Sequence, residues 1–161
     1  MGFNSITPSD KLSKEEKYYK SLDHIKLFYQ YETDLMANLA NTAAILKGIF
    51  NWWWIGFYIV KENELVLGPF QGPVACTRIT FGKGVCGSSW EQKKSIIVPD
   101  VHEFVGHIAC SSASKSEIVV PVIKNNEVVA VLDADSEFLD FYNEADKVEL
   151  EKICNILANY F

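Results

Sequence analysis

No stretch of this chain is long and apolar enough to cross a bilayer. The longest apolar runs, such as Trp52 to Val60, fall far short of the ~20 residues a membrane helix needs. The opening MGFNSITPSD lacks the basic start and apolar core of a secretory signal. Ile6 stands where a myristoylation signal requires Ser or Thr. Basic charge is scarce: 15 Lys and Arg face 21 Asp and Glu, giving −6, and no basic cluster interleaves with aromatics. That weighs against nucleic acid and against an anionic membrane surface as partners. Neither GxxxxGK[ST] nor GxGxxG occurs, and Gly82-Lys83-Gly84 resembles a phosphate loop only superficially. No two cysteines form CxxC, so the usual zinc-ribbon and thioredoxin signatures are missing. Without an export signal the expected compartment is the reducing cytosol, the protein being cytoplasmic. Four cysteines there point to free, catalytic or metal-binding thiols rather than a disulfide framework.

What is present is enough apolar residue, 48% of 161, to bury one sizeable core. Residues 1–12 read as a flexible arm, and 13–161 as a single domain. Ser13 with Glu16 forms a capping-box pattern, and Leu22, Ile25, Phe28 and Tyr29 recur at helical spacing. A second helix is expected from about Thr33 to Ile49, with Leu35, Leu39, Ala43 and Leu46 on one face and Gly48 as its stop. The aromatic and β-branched run from Asn51 to Val60 predicts a strand, in which Trp53 points opposite to Trp52 and Trp54. Lys61 to Glu64 turn into ELVLGPF, a hairpin. A short helix is expected around Ser88 to Lys93 and a short strand over Ser95 to Val98. Glu117 to Ile123 and Val128 to Leu132, joined by Lys124 to Glu127, make a second hairpin. A last helix runs from about Asn143 to Tyr160, capped by Asn143, with Val148, Ile153, Ile156 and Leu157 facing inward. Helices at both ends of a mainly antiparallel sheet make an α+β fold.

Three cysteines sit in blocks of small residues: Cys76 in QGPVACTRI, Cys86 in GKGVCGSS and Cys110 in GHIACSSASKSE. Small-residue loops fill no core and leave a thiol accessible, so these loops are expected to meet around Cys110 in a site of thiol chemistry. Two other readings stand beside it. Cys76, Cys86, His107 and Cys110 include one workable zinc spacing, and unpaired cysteines are often simple small hydrophobes. Cys154 falls at an inward helical position and reads as core. Asp133 and Asp135 follow an apolar run, so period two places Val129, Val131, Asp133 and Asp135 on one face. Like charges at the end of an apolar face repel and lose hydration unless a cationic or polar ligand lies between them. They read either as a strand end opening to solvent or as the acidic rim of a pocket. Glu117, at the start of the partner strand, adds a third acid. Such a set suits an ammonium group and supplies a proton donor of raised pKa.

The blocks NWWWIGFY, LGPFQGPVACTRI, FGKGVCGSSW, VPDVHEFVGHIAC, SEIVVPVI and VLDADS resemble, in order and spacing, the free methionine-(R)-sulfoxide reductases built on one GAF domain. The resemblance implies a GAF-like fold with a six-stranded, mainly antiparallel sheet flanked by N- and C-terminal helices, and a homodimer. It implies reduction of free methionine-(R)-sulfoxide, with thioredoxin as the external dithiol reductant and no bound cofactor or metal. It makes Cys110 the catalytic cysteine, Cys76 the resolving one and Cys86 an auxiliary third. Glu117, Asp133 and Asp135 become substrate-binding acids, and Trp54 and Tyr58 the aromatic wall. Ser111 departs from the family, which commonly carries Asp after the catalytic cysteine. The competing reading is a non-catalytic GAF module that senses a small molecule.

Overall fold

A computed structural model describes residues 11–106 and 112–161, which leaves most of the expected N-terminal arm outside it. Helices α1 (Lys14–Tyr29) and α2 (Leu35–Phe50) lead into β1 (Trp54–Lys61), β2 (Glu64–Gln71) and β3 (Arg78–Thr80). Helix α3 (Gly84–Gln92), β4 (Ile96–Val98), β5 (Ser116–Lys124), β6 (Glu127–Ser136) and α4 (Glu144–Leu157) complete the fold, with a 3-10 turn over Ala158–Tyr160. The strands form one six-stranded sheet in the order β3-β2-β1-β6-β5-β4, every pairing antiparallel. The expected α+β architecture, a six-stranded antiparallel sheet flanked by N- and C-terminal helices, is the observed one.

Period-two alternation divides the sheet's side chains between two apolar layers. Ile55, Phe57, Ile118, Val120, Val122, Leu132 and Ala134 pack beneath α1, α2 and α4. Trp54, Tyr58, Val119 and Val131 face the other way, with Leu65, Ile79, Val85 and Cys86. At ~25 cal/mol per Å² of apolar surface, the first layer, with 23 buried side chains among the described residues, outweighs the second, with 11. The second is thinner and holds the cavity.

Local chemistry accounts for most boundaries. The Ser13–Glu16 and Asn143–Asp146 capping boxes both form. The second helix begins two residues later than expected, because Asp34 caps it, accepting a hydrogen bond from Ala37 N at 2.9 Å. It also runs past Gly48. Its stop is Asn51, left-handed at φ 54, a conformation Asn adopts at low cost.

Four expectations are corrected. Trp52 and Trp53 precede the strand, so period two does not govern them. Trp52 joins the helix-side layer, its ring 4.5 Å from Phe50 and 5.6 Å from Tyr142, while Trp53 packs on the layer that holds Trp54. Helix α3 starts at Gly84 rather than Ser88. Its small residues permit close packing: a Cβ on Gly87 would lie 2.5 Å from the Thr80 carbonyl oxygen. Val129 leaves the face of Val131 because it is an extra residue in β6: Val122 pairs with Ala130 and Ile123 with Val128. In α4 Val148 is exposed, and Leu150, Ile153, Cys154 and Leu157 form the inward stripe at the 3.6-residue period.

Candidate active site

The cavity opens on the thinner face, where β1, β5 and β6 lie side by side. Glu117 pairs directly across from Asp135, and Val119 from Asp133, so Glu117 and Asp133 are diagonal neighbours on one face. On the other edge of β6, Trp54 is opposite Asp135 and Gly56 opposite Asp133. All three acids line the cavity together with Trp53, Trp54, Tyr58, Cys86 and Ser114. Glu117 and Asp133 are each 94% removed from solvent, and Asp135 is half-buried.

Burial governs the electrostatics. The Glu117 carboxyl is pushed well above its ordinary range, first by desolvation and then by the negative charges of Asp133 and Asp135. Asp133 rises for the same reasons, desolvation and then Asp135, against opposing hydrogen bonds with Cys86 and Glu117. Asp135 is pushed up only to about 6 by burial, held back by a short hydrogen bond donated by the Ser114 hydroxyl to its Oδ1. Burial therefore favours the protonated form of Glu117 and Asp133, and Asp135, raised only to about 6, is the readiest of the three to ionise. No Lys, Arg or His occurs among the described residues lining the cavity.

The aromatic wall is held rigidly. The Trp54 indole Nε1 donates to the Pro73 carbonyl at 3.0 Å, and its ring stacks on Phe70 at 5.4 Å and Tyr58 at 6.1 Å. Two glycines make the slot for that indole. A Cβ on Gly56 would sit 2.6 Å from Trp54 Cη2, and one on Gly72, at φ 142, would sit 2.5 Å from Trp54 Cδ1. Tyr58 donates its hydroxyl to the Cys76 carbonyl at 3.0 Å, tying the wall to the loop that carries Cys76.

The cysteines differ in setting. Cys76 is half-buried on the β2–β3 connection and is disulfide-bonded. Cys86 is not on a loop, as its glycine-rich block had suggested. It lies in the first turn of α3, buried and free, with Sγ 4.0 Å from Glu117 Oε1. Desolvation, followed by the charges of Asp133 and Glu117, raises its thiol well above the usual value, so it is a poor thiolate at neutral pH. Cys154 is buried and free in the helix-side layer, as expected of a core residue. Cys110, His107 and Ser111 lie outside the described residues.

Seven of the eight expected site residues are thus placed. Glu117, Asp133, Asp135, Trp54, Tyr58 and Cys86 share the cavity, and Cys76 is joined to Tyr58 beside it. The sequence reading missed Ser114, hidden in a run of small residues, and the space-making roles of Gly56 and Gly72. A glycine between Trp54 and Tyr58 in a β-rich run was the available signal for Gly56.

The sheet order and this cavity define a GAF-type domain, and comparison agrees: the GAF domain family model matches residues 30–161. The chain is 44% identical to the free methionine-R-sulfoxide reductase of Escherichia coli over 76% of this chain and 74% of that one. It is 40% identical to the Saccharomyces cerevisiae protein of the same name over 94% and 89%. Among solved structures, the free methionine-R-sulfoxide reductase of Neisseria meningitidis in complex with its substrate superposes with a TM-score of 0.91 at 47% identity. That match covers 96% of this chain and 95% of that one. The chain belongs to the GAF domain family and, within it, to the free methionine-R-sulfoxide reductases.

Proposed function

We propose that this chain reduces free methionine-(R)-sulfoxide to methionine through Cys110, Cys76 and an external dithiol. The observation that carries the reading is the lining of the cavity: three carboxyls and no basic side chain among its described residues, beside an aromatic wall. A cavity so lined suits a ligand that is cationic at one end and apolar at the other. A free amino acid carries an ammonium group for Asp135 and its neighbours, and an S-methyl group for Trp54 and Tyr58. Methionine within a peptide has no such ammonium.

In the reaction, the Cys110 thiolate attacks the sulfoxide sulfur while a protonated carboxyl, Glu117 or Asp133, gives its proton to the oxygen. Oxygen passes from the substrate to the enzyme, leaving methionine and Cys110 sulfenic acid. The Cys76 thiol condenses with the sulfenic acid, releasing water and forming a disulfide. A dithiol of the thioredoxin type reduces that disulfide by exchange. Cys76 is favoured over Cys86 as resolving residue: it is half-buried and disulfide-bonded, whereas Cys86 is buried with a raised thiol pKa.

The test is consumption of resolved sulfoxide diastereomers by the purified protein with dithiothreitol. The free R form should turn over. Losing the charged partner should slow the N-acetyl form roughly 30- to 1,000-fold in kcat/KM, equivalent to about 2–4 kcal/mol. Comparable rates for free and N-acetylated substrate would overturn ammonium recognition.

A further inference from the structure

The cavity sets beside two of its acids a thiol, Cys86, that the reductase reading leaves unused. The Cys86 thiol, a Glu117 carboxylate oxygen and an Asp133 carboxylate oxygen lie within 4.8 Å of one another, all on buried residues. They come from three elements: the first turn of α3, the start of β5 and the end of β6. A second, independent observation points to an occupant. Asp133 Oδ1 is buried with no hydrogen-bond partner among the described residues, although Asp133 is 94% removed from solvent. A buried carboxyl oxygen without a partner is costly, and a bound cation relieves that cost.

We propose that Cys86, Glu117 and Asp133 form a Zn²⁺ site that competes with the substrate for the same carboxyls. Tetrahedral zinc takes thiolate sulfur at about 2.3 Å and carboxylate oxygen at about 2.0–2.2 Å, which sets ligand atoms roughly 3.5 Å apart. Cys86 Sγ and Glu117 Oε1 are 4.0 Å apart, so closing on the ion takes a contraction of well under 1 Å for that pair. The donor set selects the metal. One thiolate with two carboxylates is too soft and too few for Mg²⁺ or Ca²⁺, which take six or more oxygens. The fourth position opens into the cavity and is left for water. Binding displaces to solvent the Cys86 thiol proton and the protons carried by the Glu117 and Asp133 carboxyls, and changes no oxidation state. The metal claim stands apart from the reductase reading; only competition with the amino acid rests on it.

Cobalt is the probe, since a cobalt-bound thiolate gives a charge-transfer band in the near-ultraviolet. Fully reduced protein should take up one equivalent of Co²⁺ with this band, and Zn²⁺ should displace it. The Cys76→Ser/Cys110→Ser double variant should retain the band. Cys86→Ser should lose it, and Glu117→Gln should weaken Co²⁺ binding at least tenfold, with circular dichroism confirming that each variant is folded. A band that survives in Cys86→Ser and disappears in the double variant would assign the metal to the other cysteines and overturn the site. Free methionine should raise the apparent Kd for Co²⁺ in the wild-type protein. No effect of saturating methionine on bound cobalt would overturn the competition, while failure of Co²⁺ to bind at all would overturn the site without touching the reductase reading.

Discussion

Asp135→Asn separates what the acid cluster costs the fold from what it does for the substrate. The folded protein raises this carboxyl from an ordinary 3.8 to about 6, chiefly by burial. A group whose pKa is higher in the folded than in the unfolded chain penalises the fold once it ionises. The penalty is absent below about pH 4, grows between 3.8 and about 6, and is constant above that. Two pKa units correspond to about 3 kcal/mol. That is an upper bound, because a half-buried carboxylate keeps part of its hydration and is screened. The Asn side-chain oxygen accepts the same hydrogen bond from Ser114, so the substitution removes charge and keeps the contact. In urea denaturation, Asp135→Asn should be more stable than wild type by about 1–3 kcal/mol at pH 8 and indistinguishable from it near pH 4. The same variant should lose roughly 30-fold or more in kcat/KM for free methionine-(R)-sulfoxide at pH 8, as its ammonium partner is gone. A variant that is destabilised equally at both pH values would refute the reasoning, since the carboxylate would then be a structural asset rather than a cost accepted for binding.

The remaining predictions test the thiols and the aromatic slot. Cys110→Ser should abolish sulfoxide reduction while leaving the denaturation midpoint of the fully reduced protein unchanged; Cys76→Ser should release one methionine per enzyme in a single turnover yet fail to cycle with thioredoxin. Multiple thioredoxin-driven turnovers by Cys76→Ser would move the resolving role to another cysteine. Gly56→Ala should cost about 1–3 kcal/mol in chemical denaturation, since its Cβ would fall 2.4 Å from Phe70 Cβ and 2.6 Å from Trp54 Cη2. It should also raise KM by displacing Trp54, and an unchanged KM would mean that the indole does not contact the substrate.

The sheet was legible in the sequence wherever period two was undisturbed. Ile118, Val120 and Val122 alternate with Glu117 and Val119, and this alternation puts Glu117 on the cavity face. The same rule failed at Val129 and at Trp52 for physical reasons it does not contain. A bulge inserts one residue and shifts the phase of what lies beyond it, and residues outside a ladder have no phase at all. Capping residues read correctly because the bond that makes them is local: Ser13 to Glu16 and Asn143 to Asp146 each span three residues. Val148 misled because an apolar residue near a helical stripe is not necessarily in it. The phase is set by the sheet below, which selects Leu150.

The site divides along the same line between local and non-local information. Asp133 and Asp135 were readable as neighbours because one strand carries both, and Glu117 because a tight turn folds its strand back beside them. Cys86 was assigned to the same chemistry on composition, but its place beneath Glu117 depends on α3 packing across a sheet whose partner strands lie some 30 residues later. Nothing local to GKGVCGSS records that it is buried, or that burial turns a cysteine from a nucleophile into an unreactive thiol. This difference is what favours Cys76 over Cys86 in the proposed mechanism. Two cysteines ten positions apart, each beside small residues, carry similar sequence signals, and burial, followed by the charges of acids distant in the sequence, raises the pKa of one of them. A thiol unable to ionise unaided resolves sulfenic acids poorly, yet it still becomes a ligand once a cation neutralises the carboxyls around it.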